Sequence, residues 1–150
     1  MMATKSVRRG WLPLAILCAV GLTSLMGCGG VKRLPVSGTV TLDGQPLNGG
    51  ILSFSPDTAK GNTSQISGNS PVKEGHYELQ TTAINSADSG SGVPPGWYKV
   101  FLKTPNLSTK KNPQSPIEVN DKFKSVETTP LSVEVKENPE PGAYDFKLTR

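Results

Sequence analysis

Few side chains in this 150-residue chain have the type and spacing to do chemistry. Cys28 is one: a thiol directly after small Gly27, at the end of the uncharged and mostly apolar run Trp11–Leu25. A hydrolase needs a nucleophile with a base, or carboxylates held in a pocket, and a metal site needs clustered ligands. His76 is the single histidine, which excludes multi-histidine zinc sites and makes any serine triad depend on one residue of a strand's wet face. The carboxylates are scattered, with Asp43 at a turn, Asp57 at the start of a loop and Asp121 after Asn120. Asn120-Asp121 could join a calcium site, but no D-x-[DN]-x-[DN]-G loop is present. There is no G-x-S-x-G and no phosphate-cradling glycine loop. The expectation is a protein that is not an enzyme, with no catalytic residue, metal site or cofactor. One pattern could bind: Trp97, Lys99, Phe101 and Lys103 share one strand face and, if exposed, form an aromatic and basic ribbon for sugars or acidic partners. Against that stands a Trp97 packed under a loop or at the rim of the fold.

The residues before Cys28 say how it would be reached. A basic start (Lys5, Arg8, Arg9), the apolar run and a small residue before the cut are the parts of a secretory signal. Leu25-Met26-Gly27-Cys28 resembles the lipobox of bacterial lipoproteins, with Met26 where that family usually has a small residue. The resemblance implies cleavage between Gly27 and Cys28, a diacylglycerol on the Cys28 sulfur and acylation of the new amino terminus. Several acyl chains anchor firmly where a single myristoyl chain binds only marginally and reversibly. A single uncleaved span is the competing reading, but a span wants about 20 apolar residues and this run is shorter and contains Pro13 and Gly21. Arg8-Arg9 also resembles a twin-arginine export signal. Gly29 in place of Asp after the lipid cysteine is compatible with carriage to an outer membrane.

Cleavage changes the composition. Three of the 16 Lys and Arg precede Cys28 and none of the 12 Asp and Glu does, so the net charge falls from +4 to +1. The basic character belongs largely to the leader, and a nucleic-acid partner loses its electrostatic support. Cys18 leaves with the leader and Cys28 is consumed by lipid, so no disulfide is available and a core must do the folding. The remaining 123 of 150 residues suit one domain.

Residues 28–35 read as the lipidated cysteine and a short tether, in which Lys32 and Arg33 could touch anionic head groups. From residue 36 the apolar period is 2. Val36, Val40 and Leu42 share one side of a strand with Gly38, and Asp43-Gly44 turns it. Leu52 and Phe54 point inward in a second strand. Residues 57–70 lack a pattern and read as a loop. Glu74-Gly75 makes a tight turn before Tyr77 and Leu79, which face away from His76, Glu78 and Gln80. A Ser- and Gly-rich loop, 82–92, meets Pro94-Pro95-Gly96 before the strongest strand, 97–103, with Tyr98, Val100 and Leu102 on one face. Residues 104–116 carry three prolines and belong on the surface. Leu131, Val133 and Val135, then Tyr144, Phe146 and Leu148, mark two closing strands.

About seven short alternating strands predict an all-β, two-sheet antiparallel sandwich, because each sheet has one apolar face to cover. Immunoglobulin-like domains share that outline but carry a Cys…Trp…Cys framework that is missing here. The run from Val36 to Leu47 (VSGTVTLDGQPL), the segment Glu74–Leu79 (EGHYEL) and Pro95–Val100 (PGWYKV) resemble the carboxypeptidase regulatory-like domain, a transthyretin-like (prealbumin-like) sandwich. The resemblance covers residues 36–104 best, continues through Thr129-Pro130-Leu131, and extends to small bacterial lipoproteins that carry this domain alone. It implies a signal peptide at 1–27, a sandwich domain at 36–150, and a non-catalytic binding or structural adaptor of the cell envelope. Such a protein is exported and lipid-anchored to the cell membrane or outer membrane, facing periplasm or exterior, with the membrane as partner through the acyl chains on Cys28. Envelope protein is a further candidate partner, and so is polysaccharide or peptidoglycan, held on the sandwich face or by the loops 57–70 and 82–96.

Overall fold

The computed structural model describes residues 31–81, 89–104 and 117–150. The lipobox and the residues of the proposed cut, Gly27 and Cys28, lie outside them, as do most of the loops expected at 82–92 and 104–116. Among the described residues the fold is all-β, with ten short strands in two sheets. Two single-turn 3-10 segments, Thr58–Lys60 and Asp121–Phe123, are the helical elements there.

The first sheet centres on β1 (Ser37–Leu42), which pairs with β2 (Gln45–Pro46) and β5 (His76–Glu78) antiparallel and with β10 (Phe146–Leu148) parallel. The Val40 amide reaches the Gly75 carbonyl and the Leu47 amide the Val40 carbonyl, so β2 and β5 lie end to end along one edge and β10 takes the other. The second sheet has the order β7 (Gly90–Ser91), β6 (Gln80–Thr81), β4 (Gly68–Pro71), β3 (Ile51–Pro56), β8 (Gly96–Lys103), β9 (Ser132–Val135). Three features differ from expectation. Among the described residues there are ten strands where about seven were expected, the β1–β10 pair is parallel in a fold expected to be antiparallel, and β4 begins inside the stretch 57–70 expected as a loop. The residues 76–81 form one bent run that leaves the first sheet at Glu78 and joins the second at Gln80, with Tyr77, Leu79 and Thr81 buried throughout. A strand that changes sheets at a corner joins the two layers covalently.

Hairpin chemistry sets the registers. Asp43 and Gly44 both take positive φ, 50° and 82°, between paired Leu42 and Gln45, the type I′ geometry that matches the strand twist. Glu74 and Gly75 repeat it, 51° and 81°, between Lys73 and His76.

The alternation translates directly into a core shared by both sheets. Val36, Val40, Leu52, Phe54, Leu79, Tyr98, Val100 and Leu102 are fully buried. At its centre the ring of Phe54 meets those of Tyr77, Tyr98 and Phe146 at centroid separations of 6.1, 6.2 and 5.8 Å. Phe54 and Tyr98 belong to the second sheet, Tyr77 and Phe146 to the first. Buried tyrosine hydroxyls need acceptors: Tyr77 donates to the Tyr144 carbonyl at 2.7 Å and Tyr98 to the Pro94 carbonyl at 2.9 Å. Burial, with the Asp145 carboxylate adding to it, pushes the Tyr77 phenol far above its usual range, and burial likewise raises Tyr98.

The sign of the linkage gives a prediction. Below about pH 10 both phenols are neutral whether folded or not. Above it the unfolded chain ionises while the folded core resists, so stability is lost as pH rises toward the folded values. Tyr77→Phe is predicted to flatten this alkaline decline by about one proton's worth, while costing about 0.5–1.5 kcal/mol at neutral pH for the lost hydrogen bond. Urea midpoints measured across pH 8 to 11 check it, and an unchanged slope in the variant would refute it.

The sheets have two distinct ends. Leu34, Val93, Gly96, Pro56, Gly68 and Val135 lie at one, and Leu42, Gln45, Gly49, Ile51, Lys103 and Ile117 at the other. The chain comes in at the first end, where Leu34 and Val93 exchange two backbone hydrogen bonds of 2.9 and 3.1 Å and Lys32 pairs with Glu137. The last two residues of the expected tether, Leu34 and Pro35, are thus tied to the domain.

Candidate functional site

β8 carries the four residues singled out as a binding face, and the strand alternation holds them together: Tyr98, Val100 and Leu102 point into the core, and Trp97, Lys99, Phe101 and Lys103 point out. They do not form an open ribbon. Trp97, Lys99 and Phe101 are half-buried and Lys103 alone is exposed. Lys99 Nζ reaches the Val126 carbonyl at 3.4 Å, and Lys103 Nζ stands 5.5 Å from the Phe101 ring centroid. Phe101 lies opposite Ser53, whose hydroxyl donates to Asn69 Oδ1 at 2.8 Å.

Trp97 sits differently, because the segment 57–66 folds against it. Residues Thr58–Lys60 make one 3-10 turn that ends at Gly61 in the left-handed region, φ 81°. The Asp57 amide donates to the Trp97 carbonyl at 2.9 Å, and Asn62 Nδ2 donates to the same carbonyl at 2.8 Å. Asn62 Oδ1 receives the Ser64 amide and Ser64 Oγ the Ile66 amide, at 2.9 and 3.1 Å. These are local side-chain turns, in which a short polar side chain replaces a strand partner for the backbone. They carry Lys60 over the indole, its Nζ 3.8 Å from the ring centroid and 2.9 Å from Ser132 Oγ. An ammonium over an indole contributes about 0.5–1 kcal/mol at an exposed site. Lys60, Asn62 and Val31 are functional candidates that apolar periodicity misses. The spacing Asn62-Thr63-Ser64 after Lys60-Gly61 is the signal that could have found two of them.

Between this segment and the turn Pro94-Pro95-Gly96 runs an open groove of about 650 Å³, with Trp97 in its wall and Val31 at its rim. Its lining mixes apolar Ile66 and prolines with the polar side chains of Lys60, Asn62, Thr63, Ser64 and Gln65. Two regions expected as separate loops, 57–70 and 82–96, therefore contribute to one site.

His76 projects from β5 into a different hollow of about 600 Å³, with Ser37, Ser70, Lys73 and Glu78. The Ser70 hydroxyl there is committed to structure, since its Oγ donates to the Pro71 carbonyl at 3.1 Å and accepts the Glu78 amide at 3.0 Å. Asn120 and Asp121 do turn chemistry: Asn120 Oδ1 caps the second 3-10 segment by accepting the Lys122 amide, and Asp121 pairs with Lys124 at 2.6 Å, which holds its carboxyl below the usual range. Among the described residues no three His, Cys, Asp or Glu side chains are grouped to hold a metal ion. No helix among them is long and apolar enough to cross a membrane. No protein-family model, curated protein or solved structure matches this chain.

Proposed function

We propose that this protein is a non-catalytic, lipid-anchored module of the cell envelope: a transthyretin-like sandwich of the carboxypeptidase regulatory-like kind, held to the membrane by acyl chains on Cys28 and acting as a binding or structural adaptor. The observation that carries the reading is that, among the described residues, one shared core runs from Val36 to Leu148, with Leu34 packed against it. These residues bury their apolar surface against one another, which supports reading the apolar run before Cys28 as a leader. The finer family assignment is supported by where its motif residues fall. Gly38 and Val40 lie on β1, Asp43-Gly44 forms the hairpin, and Tyr77 and Tyr98 take buried positions on the strands expected to carry them.

The test is intact mass spectrometry of the protein from its native membrane beside a Cys28→Ser version. The expected result is loss of residues 1–27 plus acyl chains, both absent in the variant. A full-length unacylated mass would overturn the anchor and favour a single uncleaved span. A second reading, an envelope-polysaccharide binder, is favoured by the groove at Trp97 and would be read as retention of the protein on isolated envelope polysaccharide.

A further inference from the structure

The groove at Trp97 and the proposed anchor are close along the chain. Val31 forms part of the groove's rim and is the one large hydrophobic side chain counted as exposed among the described residues, at 47 %. It follows Cys28 by three residues. Three extended residues span at most about 11 Å, and the head-group layer on each side of a bilayer's hydrocarbon core is about 5–8 Å deep. An acylated Cys28 therefore brings the Val31 rim within reach of that layer.

The chemistry of the groove suits that place. Indoles concentrate at the membrane–water boundary because one part of the ring is apolar and its N–H polar. Lys60 sets an ammonium over this indole, and a basic residue near an anionic leaflet contributes about 1 kcal/mol. Thr63, Ser64 and Gln65 supply further polar side chains beside exposed Val31. The opposite end of the sheets, at Gln45 and Lys103, is a full β8 away, eight residues at about 3.3 Å each. On these grounds we propose that the groove formed by Val31, Lys60, Ile66, Pro95 and Trp97 lies in the head-group layer of the anchoring membrane and takes the phosphate-bearing head group of an anionic phospholipid. This rests on the lipid-anchor reading and adds to it a lipid partner and an orientation, with the Trp97 end down and the Gln45 end outward.

The two tryptophans of the chain are Trp11 and Trp97, so the cleaved protein carries its own single probe. Acylated protein purified from its membrane is reconstituted into vesicles of phosphatidylcholine, with or without phosphatidylglycerol, that contain a head-group spin-labelled lipid. Trp97 emission is expected to be quenched at least about twofold more than a tryptophan placed at the far end by Gln45→Trp in a Trp97→Phe background. Lys60→Gln is expected to weaken the quenching in phosphatidylglycerol vesicles by about fivefold in apparent affinity, the equivalent of one basic residue, and to leave it unchanged in phosphatidylcholine alone. Equal quenching at both positions overturns the proposal, as does a Trp97 spectrum that responds to isolated envelope polysaccharide and not to lipid. The two readings fail separately: protein that floats with vesicles yet keeps Trp97 unquenched loses only the inference, whereas protein that does not float loses the anchor and the inference together.

Discussion

Phe54→Ala is predicted to lower the unfolding free energy by about 3–5 kcal/mol, a large part of what a domain of this size has. The ring is fully buried and stands among three other aromatic residues drawn from both sheets. Removing it withdraws contacts from Tyr77, Tyr98 and Phe146 at once, and these belong to strands whose positions are fixed by backbone pairing on either side, so the cavity cannot collapse cheaply. Phe101→Ala is the comparison. That ring lies on the outer face of the same sheet, half-buried beside Lys103, and its loss is expected to cost about 1 kcal/mol. Urea midpoints of the two variants decide the matter: equal shifts would mean that the aromatic cluster does not tie the layers together.

Gly38→Ala is the second large effect, for a steric reason. A Cβ at this position would stand 2.3 Å from the Tyr144 carbonyl oxygen and 2.9 Å from its carbon. Both are backbone atoms, so no rotamer change relieves the contact. The segment before β10 would have to withdraw, and with it go the Tyr77 hydroxyl bond to the same carbonyl and the Thr39 amide bond to Asp145 Oδ1, at 2.7 and 2.8 Å. A loss of about 3 kcal/mol is predicted, the upper end for overpacking. Gly44→Ala separates sterics from backbone strain, because its φ is 82° but no atom lies within 4 Å of the added Cβ; about 1–2 kcal/mol is expected there. Amide exchange supplies the local readout. Gly38→Ala should speed exchange throughout β10, and unaltered protection of Phe146–Leu148 would refute the mechanism.

The strands that alternate apolar and polar residues were legible from sequence because one face of each is dry. Val36, Val40, Leu52, Phe54, Tyr98, Val100 and Leu102 are all buried. The strand Gly68-Asn69-Ser70-Pro71 was not legible, since its inward positions are Gly68 and Ser70. The reason is spatial: Val93 and Leu79 press on Gly68, where a Cβ would come within 2.6 Å of Val93, and apolar bulk has no room. Tyr144 was read into the last strand because it alternates with Phe146 and Leu148. It is buried as expected but belongs to the turn before β10, where its hydroxyl accepts the Lys136 amide at 3.3 Å. Pairing partners are another matter. Nothing in Phe146-Lys147-Leu148 states that it will run parallel to β1, because a three-residue strand with one apolar face fits either direction. The candidate site was half legible. Trp97 stood out by type, whereas Lys60 and Asn62 reach it through side-chain–backbone turns that leave no periodic trace.

The parallel pair at the edge of the first sheet has a consequence for the order in which the protein folds. β1 is the first of the described strands to be synthesised, and its partner along one edge, β10, is the last. Thr39 and Asp145, joined by a hydrogen bond beside that pair, are 106 residues apart in sequence. Contacts between such distant residues carry the largest loop-closure cost and slow the search for the native state. The second sheet can pair β3, β4, β6 and β8 from a shorter stretch of chain, while β1 keeps one edge of backbone N–H and C=O groups unsatisfied. The first sheet is therefore complete only once β10 has been made, and until then β1 is the surface through which a nascent molecule can pair with the wrong strand.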